Sequence, residues 1–218
     1  MTKKVAVVLS GCGFLDGSEI HETVVTLLHL YKNGAEPVCF APNMNQRRVM
    51  NHLTKERSSE TRNVLVEAAR IARSEVSGLD KLKAADFDAV IFPGGYGAAL
   101  NLCDFGVKGP DCTLEPAVEN VLKDFHAAKR PIGLICIAPA LGAKAFGSKG
   151  VELTIGSDPG TAGALEKLGA KHVNKRADEI HVDEINLVVS TPAYMLAKNI
   201  FEVEQGVAKL VVQVLKMA

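Results

Sequence analysis

Gly133-Leu-Ile-Cys136-Ile-Ala-Pro139 ends a short apolar run on a thiol and places a proline where a helix would begin. In a parallel α/β sheet the carboxyl ends of strands are where ligands bind, and a helix N-terminus favours thiolate over thiol. Cys136 is therefore the first candidate for a nucleophile; a small residue buried in an apolar run is the alternative. Asp16-Gly-Ser-Glu19 follows the first apolar run and precedes the first helical pattern. A carboxylate there suits acid/base work beside a cysteine. Asp16 as helix N-cap with Glu19 three residues on accounts for the same spacing. Pro93-Gly94-Gly95-Tyr96-Gly97 offers backbone N–H groups to a developing oxyanion, or is a plain tight turn.

Cys12 falls at the end of the first strand, where it lines a pocket or packs, while Arg62 and Asn63 approach from a connecting segment or form a solvated helical face. His21 is the histidine nearest the candidate site in sequence, but two positions from Glu19 on a helix it points elsewhere. None of the six histidines is assignable as a partner of Cys136. Gly11-Cys-Gly13-Phe-Leu-Asp16 departs from the dinucleotide-binding G-x-G-x-x-G, with Asp16 in place of the third glycine.

These residues need strand ends to hold them. Apolar runs of strand length fall at 5–10, 37–41, 89–92, 133–136 and 153–155, with paired short strands near 180–182 and 187–190. Helical patterns separate them: Ile20, Val24, Leu27, Leu28 and Tyr31 are spaced as one helix face, and further helices fit 58–73, 118–128, the segment from Pro139, 162–168 and 197–216. The alternation predicts an α/β fold, a mainly parallel central sheet with helices on both faces, as one domain over residues 1–218.

Composition narrows the function. The 25 basic residues balance 25 acidic ones, so no global field favours nucleic acid or an anionic membrane. No apolar run approaches a membrane span and no secretory signal is apparent. Five scattered cysteines lack the paired spacings of a zinc site or the density of a disulfide framework, which points to a reducing compartment, the cytoplasm or, after loss of a transit peptide, the mitochondrial matrix.

Seven ordered motifs carry a resemblance across nearly the whole chain: Ser10-Gly-Cys-Gly13, Asp16-Gly-Ser-Glu-Ile-His-Glu22, Glu60-Thr-Arg-Asn63, Pro93 to Leu102, Cys136-Ile-Ala-Pro139, Leu153-Thr-Ile-Gly156 and Thr191-Pro-Ala-Tyr-Met195. Together they resemble the ElbB family, class I glutamine amidotransferase-like proteins of the parkinsonism-associated deglycase and PfpI superfamily. The resemblance implies a flavodoxin-like doubly wound sandwich, a homodimer, Cys136 as nucleophile, Glu19 as the acid/base carboxylate contacting the thiol, and Gly94, Gly95 and Ile137 as oxyanion-side backbone. It implies a glyoxalase that turns glyoxal, a small α-oxoaldehyde, into the 2-hydroxy acid without glutathione, cofactor or metal, and a link to isoprenoid output. Ile155-Gly-Ser-Asp158 lacks the histidine that related proteins carry there, which implies low turnover, and Ala138 replaces the last glycine of an amidotransferase elbow, which argues against glutaminase activity. A redox-sensing or regulatory protein with an oxidisable Cys136 is the competing reading.

Overall fold

The computed structural model describes residues 2–218. Its strands are β1 (Lys4–Val8), β2 (Glu36–Ala41), β3 (Val49–Met50), β4 (Arg57–Ser58), β5 (Val76–Gly78), β6 (Ala89–Phe92), β7 (Ile132–Ile135), β8 (Glu152–Leu153), β9 (Lys171–His172), β10 (His181–Asp183) and β11 (Val188–Thr191). Seven of them form one sheet in the order β10-β11-β7-β6-β1-β2-β5, parallel throughout except for β10. Side chains alternate across a strand, and the core divides accordingly. Val5, Val7, Ala89, Ile91 and Ile135 pack on one face, while Ala6, Val8, Val90, Phe92 and Leu134 pack on the other.

Eight α-helices cover those faces among the described residues: α1 (Ile20–Lys32), α2 (Val64–Ile71), α3 (Tyr96–Leu100), α4 (Phe105–Lys108), α5 (Pro116–Ala127), α6 (Pro139–Phe146), α7 (Pro159–Lys167) and α8 (Ile200–Met217). Val25, Leu30, Val64, Ala68, Val203 and Val207 bring α1, α2 and α8 onto the Val5 face. Ala98, Val118, Leu122, Leu141 and Leu165 bring α3, α5, α6 and α7 onto the other. The result is a flavodoxin-like doubly wound sandwich. No helix among the described residues is long and apolar enough to cross a membrane.

Two sequence expectations are corrected. Asp16 does not cap α1; Glu19 does, its Oε2 accepting from the Glu22 N–H at 2.7 Å, while Asp16 is buried and accepts from the Met50 N–H at 2.7 Å. The helix expected over 58–73 starts at Val64, because Asn63 caps it and Arg57–Ser58 pairs instead with Val49–Met50 as a hairpin. A third finding concerns α1, whose inward face is Glu22, Thr23, Val25, Thr26, His29 and Leu30. The apolar spacing that marks this helix in the sequence lies mostly on its outer side, where Val24 and Leu28 are 48% exposed and Tyr31 is 66% exposed.

Candidate active site

Parallel pairing of β1, β6 and β7 brings their carboxyl ends to one edge of the sheet, and three turns converge there. The loop after β1 is bolted to the turn after β6: Tyr96 N–H donates to the Phe14 carbonyl at 2.8 Å, Gly97 N–H to Gly17 at 2.9 Å and Glu19 N–H to Gly94 at 3.0 Å. Small residues make this approach possible. A Cβ on Gly97 would lie 2.5 Å from both Gly17 Cα and Ser10 Oγ.

Cys136 follows β7 with φ 62°, a left-handed conformation that costs a non-glycine residue about 1–2 kcal/mol. Two constraints hold it: its N–H donates to the Thr191 carbonyl at 2.9 Å, and α6 starts three residues on at Pro139. A strand-to-helix elbow of this geometry exposes its central side chain at the top of a sheet. The Glu22 carboxyl is the thiol's charged neighbour, both groups closing on Gly94, where an added Cβ would overlap that of Cys136 and lie 2.7 Å from Glu22 Oε2, and the backbone N–H groups of Gly95 and Ile137 adjoin the sulfur. Glu22 is held from two further sides, by Gly94 N–H on Oε2 at 2.9 Å and Tyr194 N–H on Oε1 at 3.3 Å.

Burial dominates the electrostatics. Glu22 is wholly inaccessible, and desolvation, reinforced by nearby Glu19, pushes its carboxyl up to about 8. Burial and the adjacent Glu22 raise the Cys136 thiol well above its usual range. Both groups of the pair therefore resist ionisation, and any favourable field from the short α6 helix is outweighed. Glu19 is also raised, chiefly by desolvation.

Above the thiol opens a cavity of about 500 Å³ whose walls include Glu19, Tyr96, Phe105, Ile137, Tyr194 and Met195. Tyr194 OH is 2.7 Å from His21 Nδ1. The carboxyl in contact with Cys136 is thus Glu22, not Glu19 as the sequence resemblance implies; Glu19 lines the cavity and spends one oxygen as a cap. Gly94 directs its N–H to Glu22, so of the expected backbone donors Gly95 and Ile137 are those at the sulfur.

The remaining candidates lie elsewhere. Cys12 lies outside the cavity walls, with its thiol raised by burial and by the charge of Glu67. Arg62 forks onto Glu60 through two hydrogen bonds of 2.8 and 2.7 Å. Asn63 caps α2 and donates to Asn43. His21 reaches the cavity only through Tyr194. No cluster of side chains suited to a metal ion occurs among the described residues.

A flavodoxin-like sheet carrying a strained cysteine elbow defines the class I glutamine amidotransferase-like architecture. The chain belongs to the DJ-1/PfpI family, whose model matches residues 3–202. It is 50% identical over 224 residues to the ES1 protein homolog, mitochondrial, of Rattus norvegicus, covering 98% of this chain and 84% of that protein. It is 48% identical to the glutamine amidotransferase-like class 1 domain-containing protein 3, mitochondrial, of Homo sapiens, with 98% and 83% covered. The crystal structure of an isoprenoid biosynthesis protein with amidotransferase-like domain from Ehrlichia chaffeensis superposes with a TM-score of 0.93 at 35% identity, over 99% of both chains.

Proposed function

We propose that this protein is a glutathione-independent glyoxalase of the ElbB kind, converting an α-oxoaldehyde to its 2-hydroxy acid at low turnover. The observation that carries the reading is a cysteine on a left-handed strand-to-helix elbow, with the buried Glu22 carboxyl beside it, at the base of a cavity that a second carboxyl, Glu19, lines. Cys136 sulfur bonds to the aldehyde carbon, and its proton passes through Glu22 to the carbonyl oxygen. Glu19 then removes the proton from C1 and returns one to C2 through an enediol, so C1 is oxidised to a thioester as C2 is reduced to an alcohol. Water cleaves the thioester, releasing the hydroxy acid and restoring the thiol; oxidation and reduction balance within the substrate. The Gly95 and Ile137 N–H groups that adjoin the sulfur are the donors this reading assigns to the oxygen that the addition creates.

The test is conversion of glyoxal and methylglyoxal to glycolate and lactate by the wild type and Cys136→Ala. Loss of product in the variant is expected, and wild-type rates from it would sink the reading. Oxidation sensing by Cys136 draws less support, since the thiolate that peroxide attacks is disfavoured at this buried position. The reading includes a homodimer, because Ile20, Val24, Leu28 and Tyr31 form an exposed apolar stripe on α1 and Ile200, Phe201 and Val212 are exposed on the adjoining α8. All five cysteines are free, which fits a reducing compartment, the cytoplasm or, for forms like the rat and human relatives, the mitochondrial matrix.

A further inference from the structure

We propose that the cavity above Cys136 takes an α-oxoaldehyde carrying an aryl or branched alkyl group, a substrate class distinct from glyoxal itself; the inference rests on the oxoaldehyde reading above. Size is the first argument. A cavity of about 500 Å³ falls in the range that encloses ligands well above ten heavy atoms. Glyoxal has four. With liquid water occupying about 30 Å³ per molecule, a bound glyoxal would leave most of the space wet and most of the wall unused.

The walls supply the second argument. Phe14, Tyr96, Ala99, Phe105, Ile137 and Met195 line the cavity, against which the side-chain polar groups are Glu19, Thr161 and Tyr194. Thr161 Oγ1 is committed to Asp158 Oδ2 at 2.6 Å, and Tyr194 OH to His21. An apolar enclosure with a few orienting polar groups recognises a hydrocarbon group joined to one reactive polar end. The thiol marks where that end goes.

The aromatic rings are also held open. Phe14 and Tyr96 are 45% and 50% exposed, yet each is braced from outside the cavity. His52 stands edge-on to Phe14 with centroids 5.6 Å apart, and the Arg48 guanidinium lies 5.4 Å over the Tyr96 ring. Aromatic and cationic contacts of this kind fix ring orientation. The cavity is therefore preformed around a flat or branched apolar group.

For phenylglyoxal the chemistry balances as before: C1 becomes the carboxyl and the ketone C2 the alcohol of mandelate, with one water consumed. The experiment compares initial rates of the full chain on phenylglyoxal and glyoxal, for the wild type, Ala99→Leu and Phe105→Ala, two substitutions in the cavity wall, and titrates acetophenone, which has the aryl carbonyl without the aldehyde, into all three by NMR. At about fourfold per buried methylene equivalent, kcat/KM for phenylglyoxal is expected to exceed that for glyoxal by on the order of 100-fold. Ala99→Leu is expected to cut the phenylglyoxal value at least tenfold more than the glyoxal value and to weaken acetophenone binding. Glyoxal turned over as well as phenylglyoxal, with acetophenone not bound, overturns the proposal and leaves the glyoxalase reading standing. Saturable acetophenone binding without turnover of either aldehyde supports the aryl-carbonyl site and overturns the glyoxalase reading. A preference for phenylglyoxal untouched by Ala99→Leu and Phe105→Ala alike reflects the aldehyde's own reactivity and also overturns the proposal.

Discussion

Two weak acids in contact without water hold at most one negative charge between them, and this governs what Cys136 does with pH. Desolvation and the like-charged neighbour both oppose ionisation, so the reactive thiolate develops on the alkaline side of neutrality. Replacing Glu22 by Gln removes the charge that raises the thiol. The midpoint of Cys136 alkylation against pH is expected to fall in Glu22→Gln, and to move less in Glu19→Gln; a midpoint that rises would show that Glu22 serves the thiolate as a proton donor. The same carboxyl makes a stability prediction. Its folded-state value, about 8 against 4.5 in the open chain, means the folded form binds the extra proton between those limits, so stability falls as pH rises from about 5 to 8, by a few kcal/mol at about 1.4 kcal/mol per unit. Urea unfolding at pH 5 and pH 8 is expected to show that slope in the wild type and a flatter one in Glu22→Gln. Glu22 itself was hard to read from the sequence, because an acid three positions after another at a helix start looks like cap chemistry, which Glu19 does perform. The available signal was periodicity: Glu22 shares a face with the apolar Val25 and Leu30, beside which a buried acid requires a partner.

Elements, rather than single residues, create the site, because the elbow after β7, the turn after β6 and the loop after β1 meet only when three strands lie side by side. Gly94 is where they come closest. A Cβ there would overlap that of Cys136 and sit 2.7 Å from Glu22 Oε2 and 2.8 Å from the Ile135 carbonyl. Gly94→Ala is therefore expected to cost about 1–3 kcal/mol in urea unfolding and to cut Cys136 alkylation and oxoaldehyde turnover at least tenfold; a variant with the wild-type midpoint and rate would show that the turn yields freely. Much of this was legible in advance. β6 at Ala89–Phe92, β7 ending beside Cys136 and α6 opening on Pro139 are marked by uninterrupted apolar runs and by prolines and glycines, whose backbone preferences are local. The hairpin of β3 and β4 and the strand β5 were not legible, since two- and three-residue strands gain their identity from partners distant in sequence. The start of α2 was misplaced for a related reason: helix-forming composition runs back to 58, but the Asn63 cap and the hairpin set the boundary.

At the scale of the whole molecule, α1 is a helix with two demanding faces. Its inner side is largely polar and sets Glu22 beside Cys136, with His29 Nε2 2.7 Å from Glu204 on α8, while its outer side carries the apolar stripe from Ile20 to Tyr31. This inverts the usual amphipathic pattern, in which apolar residues mark the buried face. The apolar periodicity consequently located the helix correctly and pointed to the side that the core does not cover. Leaving such a stripe in water forfeits about 25 cal/mol for each Å² that another surface could shelter, and a second copy presenting the same apolar helix face gives the self-complementary patch that a two-fold contact requires. Sedimentation velocity is expected to find a dimer for the wild type. Leu28→Glu places two like charges near that axis without touching the sheet or the cysteine, so it is expected to give a monomer with the wild-type far-UV spectrum. A monomeric wild type at tens of micromolar would remove the homodimer from the reading, whereas a dimer that survives Leu28→Glu would place the contact on another face.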